Sequence, residues 1–212
     1  MSLTFPRDMI TGWRWPVALF GVLERQELSR QANGVAQGKD LGPSIWRAEF
    51  RSRQYSLADA EALEADFLTL RGLTETFYAY PYNRRIPAAI HDASGYALSS
   101  LTIDTVRADR MGIKITGFPA AFAMTRGDFV SITTAAGGRE LVKLASSAVA
   151  DGAGLTPYLE LTRPLRTGVA DEDVVAVVNP MAEMRLEPGT LSLDPGDGLN
   201  AAVSFSAVQH II

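Results

Sequence analysis

The sequence predicts a mainly β protein of the α+β class that carries a single helix. A segment around residue 46 alternates between apolar and charged side chains, as a strand with one buried face does. One helical pattern follows it, over residues 56–70. Five short strand-like runs then lie between residues 111 and 178, separated by glycine, aspartate or proline. These observations favour a sheet covered by one helix, together with a second, smaller β module.

The composition is that of a globular protein without an evident chemical specialisation. The 212 residues are 47% apolar and 21% charged, which allows a sizeable core in one large domain or two small ones. The net charge of −4 offers no overall basic surface of the kind that wraps nucleic acid. The absence of cysteine excludes disulfides, thiolate catalysis and zinc–thiolate sites.

No segment has the length of a membrane span. The longest apolar run, Trp15–Leu23, has nine residues, whereas a helix needs about 20 to cross a bilayer. The N-terminus also lacks the basic start and the apolar stretch of a signal peptide. We therefore expect no membrane insertion, and synthesis in the cytoplasm of the cell that makes the protein.

The first part of the chain contains two predicted strands. In Ser44–Ser52 every second residue from Trp46 to Phe50 is apolar, and the residues between them are charged, so one face of the strand is buried. Arg14–Glu24 is also strand-like. Pro16 should hold the start of this strand at a sheet edge or outside the ladder, because proline cannot donate a hydrogen bond.

The predicted helix has a defined start, face and end. Ser56 can cap its N-terminus, and Asp59 stands three residues on, where a capping box places an acid. Four apolar residues at spacings of 3, 4 and 3 line one face: Ala60, Leu63, Phe67 and Leu70. Gly72 supplies the left-handed residue that ends the helix. An aromatic extended segment, Thr74–Tyr82, follows and suits a half-buried sheet surface.

A polar segment, Arg25–Pro43, lies between the two predicted strands. It contains three glycines and an Asn33–Gly34 step, which favours a tight hairpin turn because both residues tolerate positive φ. We interpret it as a hairpin whose tip projects from the domain, and the alternative is an ordinary surface loop. The candidate contact residues on this arm are Arg25, Gln26, Arg30, Gln31, Asn33 and Lys39.

The five later runs predict a small closed barrel of the OB or SH3-like kind, with a two-sheet sandwich as the competing interpretation. The runs are Met111–Gly117, Gly127–Thr134, Arg139–Ser146, Pro157–Leu165 and Asp173–Val178. A final strand, Ala201–Val208, could pair back into the first part of the chain. The barrel would then be an insertion at residues 105–180, within a discontinuous domain made of residues 1–104 and 181–212.

The sequence contains no constellation that predicts catalysis, a cofactor or a metal. His91, beside Asp92 and near Ser94, could suggest a hydrolase, but sequence neighbours seldom have the geometry of a catalytic triad. A polar turn is the simpler interpretation. A calcium loop at Asp194 fails because its twelfth position is Phe205 and not an acid. We expect a protein that is not an enzyme.

The order of features between Trp46 and Pro81 resembles a segment of tail proteins of long-tailed phages and prophages. In those proteins a strand beginning with tryptophan precedes a DAE-type helix, an LRG step and an aromatic strand ending near proline. The matching residues here are Trp46, Glu49, Asp59, Ala60, Glu61, Leu70, Arg71, Gly72, Thr76, Phe77 and Pro81. Ile115–Ala120 and Gly127–Ile132 also resemble the GWPA and GDYI stretches of these proteins, with Phe118 in place of tryptophan.

This resemblance to the distal tail protein group of siphovirus-like phages implies a structural role. It implies a β-sandwich-like ring domain with one helix, carrying an inserted β module, in a ring that is commonly a hexamer. The implied partners are the tail tube protein and the tail-tip or baseplate hub proteins, with DNA only passing through the lumen. The implied location is the virion, after synthesis in the bacterial host cytoplasm. The segment Arg25–Pro43 would be a contact arm toward a neighbouring subunit or the tube.

The main alternative function is that of a carbohydrate-binding module contacting the host surface. It predicts aromatic side chains exposed in one patch of the barrel. The candidates are Phe118, Phe122 and Tyr158. Arg163, near the end of the fourth run, and Arg166, just after it, lie close together in the sequence. They could contact phosphate or an acidic partner, or could lie at the surface or in an interface.

Overall fold

The computed structural model describes residues 3–30, 36–196 and 198–211. Within these residues the chain forms the predicted mainly β fold with one α-helix. In chain order the elements are β1 (Arg7–Asp8), β2 (Val17–Leu23), β3 (Gln26–Arg30), β4 (Ala36–Asp40), β5 (Ile45–Arg51), β6 (Tyr55–Ser56), α1 (Leu57–Leu68), β7 (Phe77–Ala79), a 3-10 helix (Tyr82–Arg84), β8 (Leu101–Val106), β9 (Gly112–Thr116), β10 (Ala123–Met124), β11 (Phe129–Thr133), β12 (Arg139–Lys143), β13 (Ala148–Val149), β14 (Leu159–Glu160), β15 (Val174–Ala176), β16 (Ala182–Leu186), β17 (Ser192–Pro195) and β18 (Asn200–Gln209). Among the described residues, no helix has the length and apolarity that a membrane crossing needs.

The first sheet combines strands from both ends of the chain. Its main order is β1-β7-β16-β18-β5-β2, and β6 and β17 also pair with β18. β18 aligns Phe205 with Phe50 and Ala207 with Ala48 of β5, so that apolar residues of neighbouring strands share a face. The last strand of the chain therefore pairs into the first part, as the sequence suggested, and lies in the interior of this sheet.

The helix packs across the buried face of the first sheet. Ser56 Oγ accepts a hydrogen bond from the amide of Asp59 at 3.3 Å, which caps the helix as expected. The residues predicted for the inner face are all buried: Ala60, Leu63, Phe67 and Leu70. The ring of Phe67 lies 4.3 Å from that of Phe205, and Trp15 has no exposed surface in the same core. Aromatic packing thus joins the helix to the central strand.

The second sheet has the order β12-β11-β15-β8-β9-β14 and curves back on itself. Just beyond the ends of its two edge strands, Leu144 and Leu161 form an antiparallel bridge. The amide of Ala145 also donates to the carbonyl oxygen of Glu160 at 2.7 Å. A second core, which includes Ile113 and Val130, fills the interior. These contacts bring the edges of the sheet together in the manner of a small barrel.

The strand β8 was not indicated by the sequence pattern. Its residues Leu101 and Ile103 are buried in the second core. The boundary drawn between residues 104 and 105 therefore falls inside a strand of the second sheet. A register shift between Ile103 and Thr105 interrupts the pairing of β8 with β9. Such an irregularity breaks the period-two pattern from which a strand is predicted.

Candidate assembly surface

The first sheet ends in a strand with an open edge. Within the described residues, β2 pairs on one side only, with β5. It begins immediately after Pro16, as predicted, and its seven residues include no charge and no proline. Its exposed apolar residues, with 38% to 59% of their surface accessible, are Val17, Leu19, Val22 and Leu23. Natural edges are usually protected by charges, prolines or bulges, so this edge is suited to pair with another chain.

The arm is a two-stranded hairpin. β3 and β4 pair in register from Gln26 with Asp40 to Arg30 with Ala36. The turn, which contains the candidates Gln31 and Asn33, lies outside the described residues. The side chains described from residue 23 to 29 and from 36 to 41 are all exposed, including those of the candidates Arg25, Gln26 and Lys39. The structure thus confirms the hairpin, and the contact role of these residues stays a prediction.

The arm continues the edge of the first sheet. Glu24 and Arg25 alone separate β2 from β3, and the amide of Leu41 donates to the carbonyl oxygen of Arg25 at 2.7 Å. One ribbon therefore runs from the body of the protein into the arm. Leu28 and Leu41 leave 62% and 53% of their surface exposed on this ribbon. An isolated two-stranded hairpin is marginally stable in water, so the arm gains most from a partner.

A buried arginine fixes the root of the arm. Arg163 donates from Nη1 to the carbonyl oxygen of Ser44 at 2.7 Å. Its Nη2 donates to Glu140 Oε1 at 2.9 Å, to the carbonyl oxygen of Leu141 at 2.8 Å and to Gln209 Oε1 at 3.2 Å. Burial lowers the pKa of Arg163, and the Glu140 carboxylate opposes this shift. One side chain thus joins the arm root, the second sheet and the last strand.

Aromatic packing completes the same junction. Trp46 Nε1 donates to the carbonyl oxygen of Leu141 at 2.6 Å, and its ring lies 5.5 Å from that of Phe129. The guanidinium of Arg163 lies 5.1 Å from the centre of the Trp46 ring. Leu141 and Phe129 belong to strands of the second sheet but are buried in the first core. The two β parts are therefore packed against each other, and Arg163 lies in their interface.

Two of the three carbohydrate candidates are buried. The rings of Phe118 and Phe122 stack 4.9 Å apart in the second core and expose only 5% and 4% of their surface. They lie inside because a small barrel fills its interior with the largest apolar side chains available. Tyr158 is 37% exposed, with Lys114 Nζ 4.8 Å from its ring centre. A patch of all three rings on the surface, as the carbohydrate hypothesis required, does not form.

The segment around His91 is a polar turn. Asp92 accepts hydrogen bonds from the amide of Ser94 at 3.0 Å and from its hydroxyl, and these bonds lower the pKa of the Asp92 carboxyl group. All three side chains lie at or near the surface. In the part of the chain that the structure describes, no three His, Asp or Glu residues lie close enough together to hold a metal ion.

Comparison with known proteins adds no relative. No protein-family model matches this chain, and no curated protein sequence matches it significantly. The functional interpretation therefore depends on the open edge, the arm and its anchor, together with the order of motifs between Trp46 and Pro81. Of these features, the sequence indicated the arm and the strand β2. For Arg163 it left open a contact with phosphate or an acidic partner, a surface position or an interface position, and it did not indicate the anchoring role.

Proposed function

We propose that this protein is a structural ring component of a phage tail, at the distal end of the tail tube, where it connects the tube to the tail-tip or baseplate hub. The observation that carries the proposal is the arm, a ribbon whose described side chains are exposed and whose base at Ser44 is held by Arg163. A ribbon with an exposed Leu28 is an unfavourable feature for a lone monomer. The same exposed ribbon is favourable in a subunit that uses it to contact a neighbouring subunit.

The arm and the open edge of β2 are two different surfaces of one chain. If the arm of each copy contacts the edge of the next copy without a reciprocal contact, the interface is head-to-tail, and such contacts close into a ring when the rotation between copies permits. Backbone hydrogen bonds along β2 would supply affinity, and Leu19 and Leu28 would supply apolar contact. The segment from Trp46 to Pro81 resembles distal tail proteins, whose rings are commonly hexamers, and this resemblance suggests a hexamer here.

Charge supports the same role for the arm. The arm, Arg25–Pro43, carries three basic residues (Arg25, Arg30 and Lys39) and two acidic ones (Glu27 and Asp40), so its net charge is +1. An arm with a small positive charge is suited to contact another copy of a chain whose net charge is −4. In this proposal DNA only passes through the lumen, and the tube and hub proteins cover the two faces of the ring in the virion.

A change on the arm tests the proposal. Leu28→Asp should leave the unfolding temperature of the monomer nearly unchanged, because Leu28 is 62% exposed, but should shift the native mass from ring to monomer. The matched control is Leu68→Asp, since Leu68 is 60% exposed at the end of α1, away from the arm and the edge. Native mass spectrometry of both variants measures whether each one forms the ring or remains a monomer. An arm variant that assembles like the control would contradict the contact role of the arm.

A further inference from the structure

A cavity of about 520 Å³ lies between the two β parts of the molecule, at the root of the arm. Pro43 contributes to its wall from the arm side, and the loop after β14 contributes Leu165 and Arg166. β16 and the end of the chain contribute Glu183 and His210. This volume is in the range of sites that hold small molecules, which is about 300–1,000 Å³. The charged residues on its wall determine what chemistry such a ligand needs.

One carboxylate on this cavity has no partner within the described part of the protein. Glu183 exposes 7% of its surface, and within residues 3–30, 36–196 and 198–211 no group donates a hydrogen bond to its side chain or forms an ion pair with it. The other glutamate on the wall, Glu140, receives hydrogen bonds from both Arg163 and Arg166. The side-chain oxygens of Glu183 keep accessible surface, and the residue lines the cavity. A ligand that brings hydroxyl donors into the cavity can therefore hydrogen-bond to Glu183.

A cation lies close to the free carboxylate without neutralising it. The guanidinium of Arg139, which also lines the cavity, lies 4.3 Å from the centre of the Tyr78 ring. Tyr78 is the register partner of Glu183 on the neighbouring strand. Arg139 and Glu183 are therefore neighbours of the same tyrosine, yet in the described part of the chain Arg139 forms no ion pair. Its guanidinium remains available to an acceptor.

The charged residues on the cavity wall are balanced in number, but one of each sign is unpaired. Two arginines, Arg139 and Arg166, and two glutamates, Glu140 and Glu183, line the cavity. Arg166 pairs with Glu140, so among the described residues Arg139 and Glu183 are the lining charges without an ion pair. His210 adds no charge near pH 7, because burial and the neighbouring arginines lower its pKa. A ligand that fits must combine a negative group with hydrogen-bond donors.

We propose that this cavity binds a compact hydroxy-carboxylate, of which a uronic acid is the natural example. Its carboxylate would pair with Arg139, whose fork of N–H groups matches a carboxylate. Its hydroxyl groups would donate to Glu183, and its C–H face would pack on Pro43 and Leu165. The source could be a uronate residue of a polysaccharide or a free sugar acid, and the two share this chemistry. The proposal does not depend on ring formation.

Titration of the full chain with D-glucuronate, followed by amide NMR, tests the site. We expect saturating shifts of cavity amides such as Gly138, Gly168 and His210. D-Glucose, which lacks the carboxylate, should bind about tenfold more weakly or worse, as expected for loss of a charge-assisted hydrogen bond. Arg139→Gln should reduce the affinity for glucuronate to that for glucose, and Glu183→Gln should weaken the binding of both sugars.

The chain offers a matched control for the arginine change. Arg53 stacks over Tyr55 at 4.7 Å, much as Arg139 stacks over Tyr78, but it is exposed and lies outside the cavity. Arg53→Gln should leave both titrations unchanged. A uronate oligosaccharide that binds at least as tightly as the free acid supports the site and indicates a polysaccharide source, whereas weaker binding supports it and indicates a free acid. The absence of saturating shifts, or equal glucuronate affinity in Arg139→Gln and the wild type, would overturn the proposal.

Discussion

At the scale of single residues, Arg163 contributes most to the geometry of the proposed contact surface. Its side chain is 7% exposed, and Glu140 beside it is 3% exposed. A buried ion pair is not in itself strong evidence for stability, because both charges lose their water. Its value here is positional, since four hydrogen-bond acceptors on three parts of the chain fix one guanidinium. The arm leaves the body in one direction as a result.

Replacement of this arginine should be strongly destabilising. Arg163→Met removes the hydrogen bonds to Ser44 and Gln209 and leaves the buried negative charge of Glu140 less well compensated. We therefore expect the free energy of unfolding to fall by about 3–5 kcal/mol. Urea unfolding measures the change. The control Arg71→Met, at a side chain that is 73% exposed, should cost less than about 1 kcal/mol. Equal effects of the two changes would show that the junction does not depend on Arg163.

His210 gives the fold a pH dependence near neutrality. Burial is the main cause of its lowered pKa, Arg185 adds to the lowering, and Glu183 opposes it. Because the folded pKa lies below the ordinary value of 6.5, the unfolded chain binds the proton more readily. The contribution of His210 to stability is therefore complete above pH 6.5 and is lost as the pH falls below it.

The melting temperature should fall between about pH 7 and pH 5.5, and this fall should be smaller in His210→Gln. Hydrogen bonds from Arg107 are the main cause of the lowered pKa values of the Asp109 and Glu160 carboxyl groups. These groups therefore titrate at lower pH and do not contribute to the change in melting temperature in this range. Scanning calorimetry across this range provides the test. The same pH dependence in both proteins would exclude His210 as its source.

At the scale of elements, the sequence was informative where one physical cause dominated the pattern. β5 has one solvent-facing and one buried face, so the alternation of charged and apolar residues was visible in its sequence. The capping residue Ser56 indicated where α1 begins. The arm was predictable because a polar segment with Asn33–Gly34 has nothing to bury. β8 was not predictable, because its bulge and Asp104 interrupt the pattern. The partners of Arg163 are up to 119 residues away in the chain, and local pattern cannot supply them.

The turn before β14 depends on a glycine for steric reasons. Gly154 has a φ of +80°, and a Cβ atom there would overlap the carbonyl oxygen of Phe118. Gly137 has a similar φ of +86° but open space around it. Gly137→Ala should therefore cost about 1–2 kcal/mol from backbone strain alone, whereas Gly154→Ala should cost clearly more. Chemical unfolding of the two variants separates these causes, and equal costs would contradict the close packing at Phe118.

At the scale of the whole molecule, the two β parts are packed together while the arm is left free. Phe129 and Leu141 of the second sheet are buried in the first core, so the two sheets are in direct contact. The arm, by contrast, has no apolar cover among the described residues, and Leu28 is exposed. A compact body that carries one exposed ribbon and one open edge has the parts that a ring subunit requires.

Electron microscopy of the purified protein tests the central claim most directly. Negative-stain images of a concentrated sample should show closed rings with a central hole, and class averages should display rotational symmetry, with a hexamer as the expected count. The Leu28→Asp variant in the same buffer should show only single particles. Wild-type protein that remains monomeric at high concentration, or that forms a two-fold dimer through some other surface, would contradict the account.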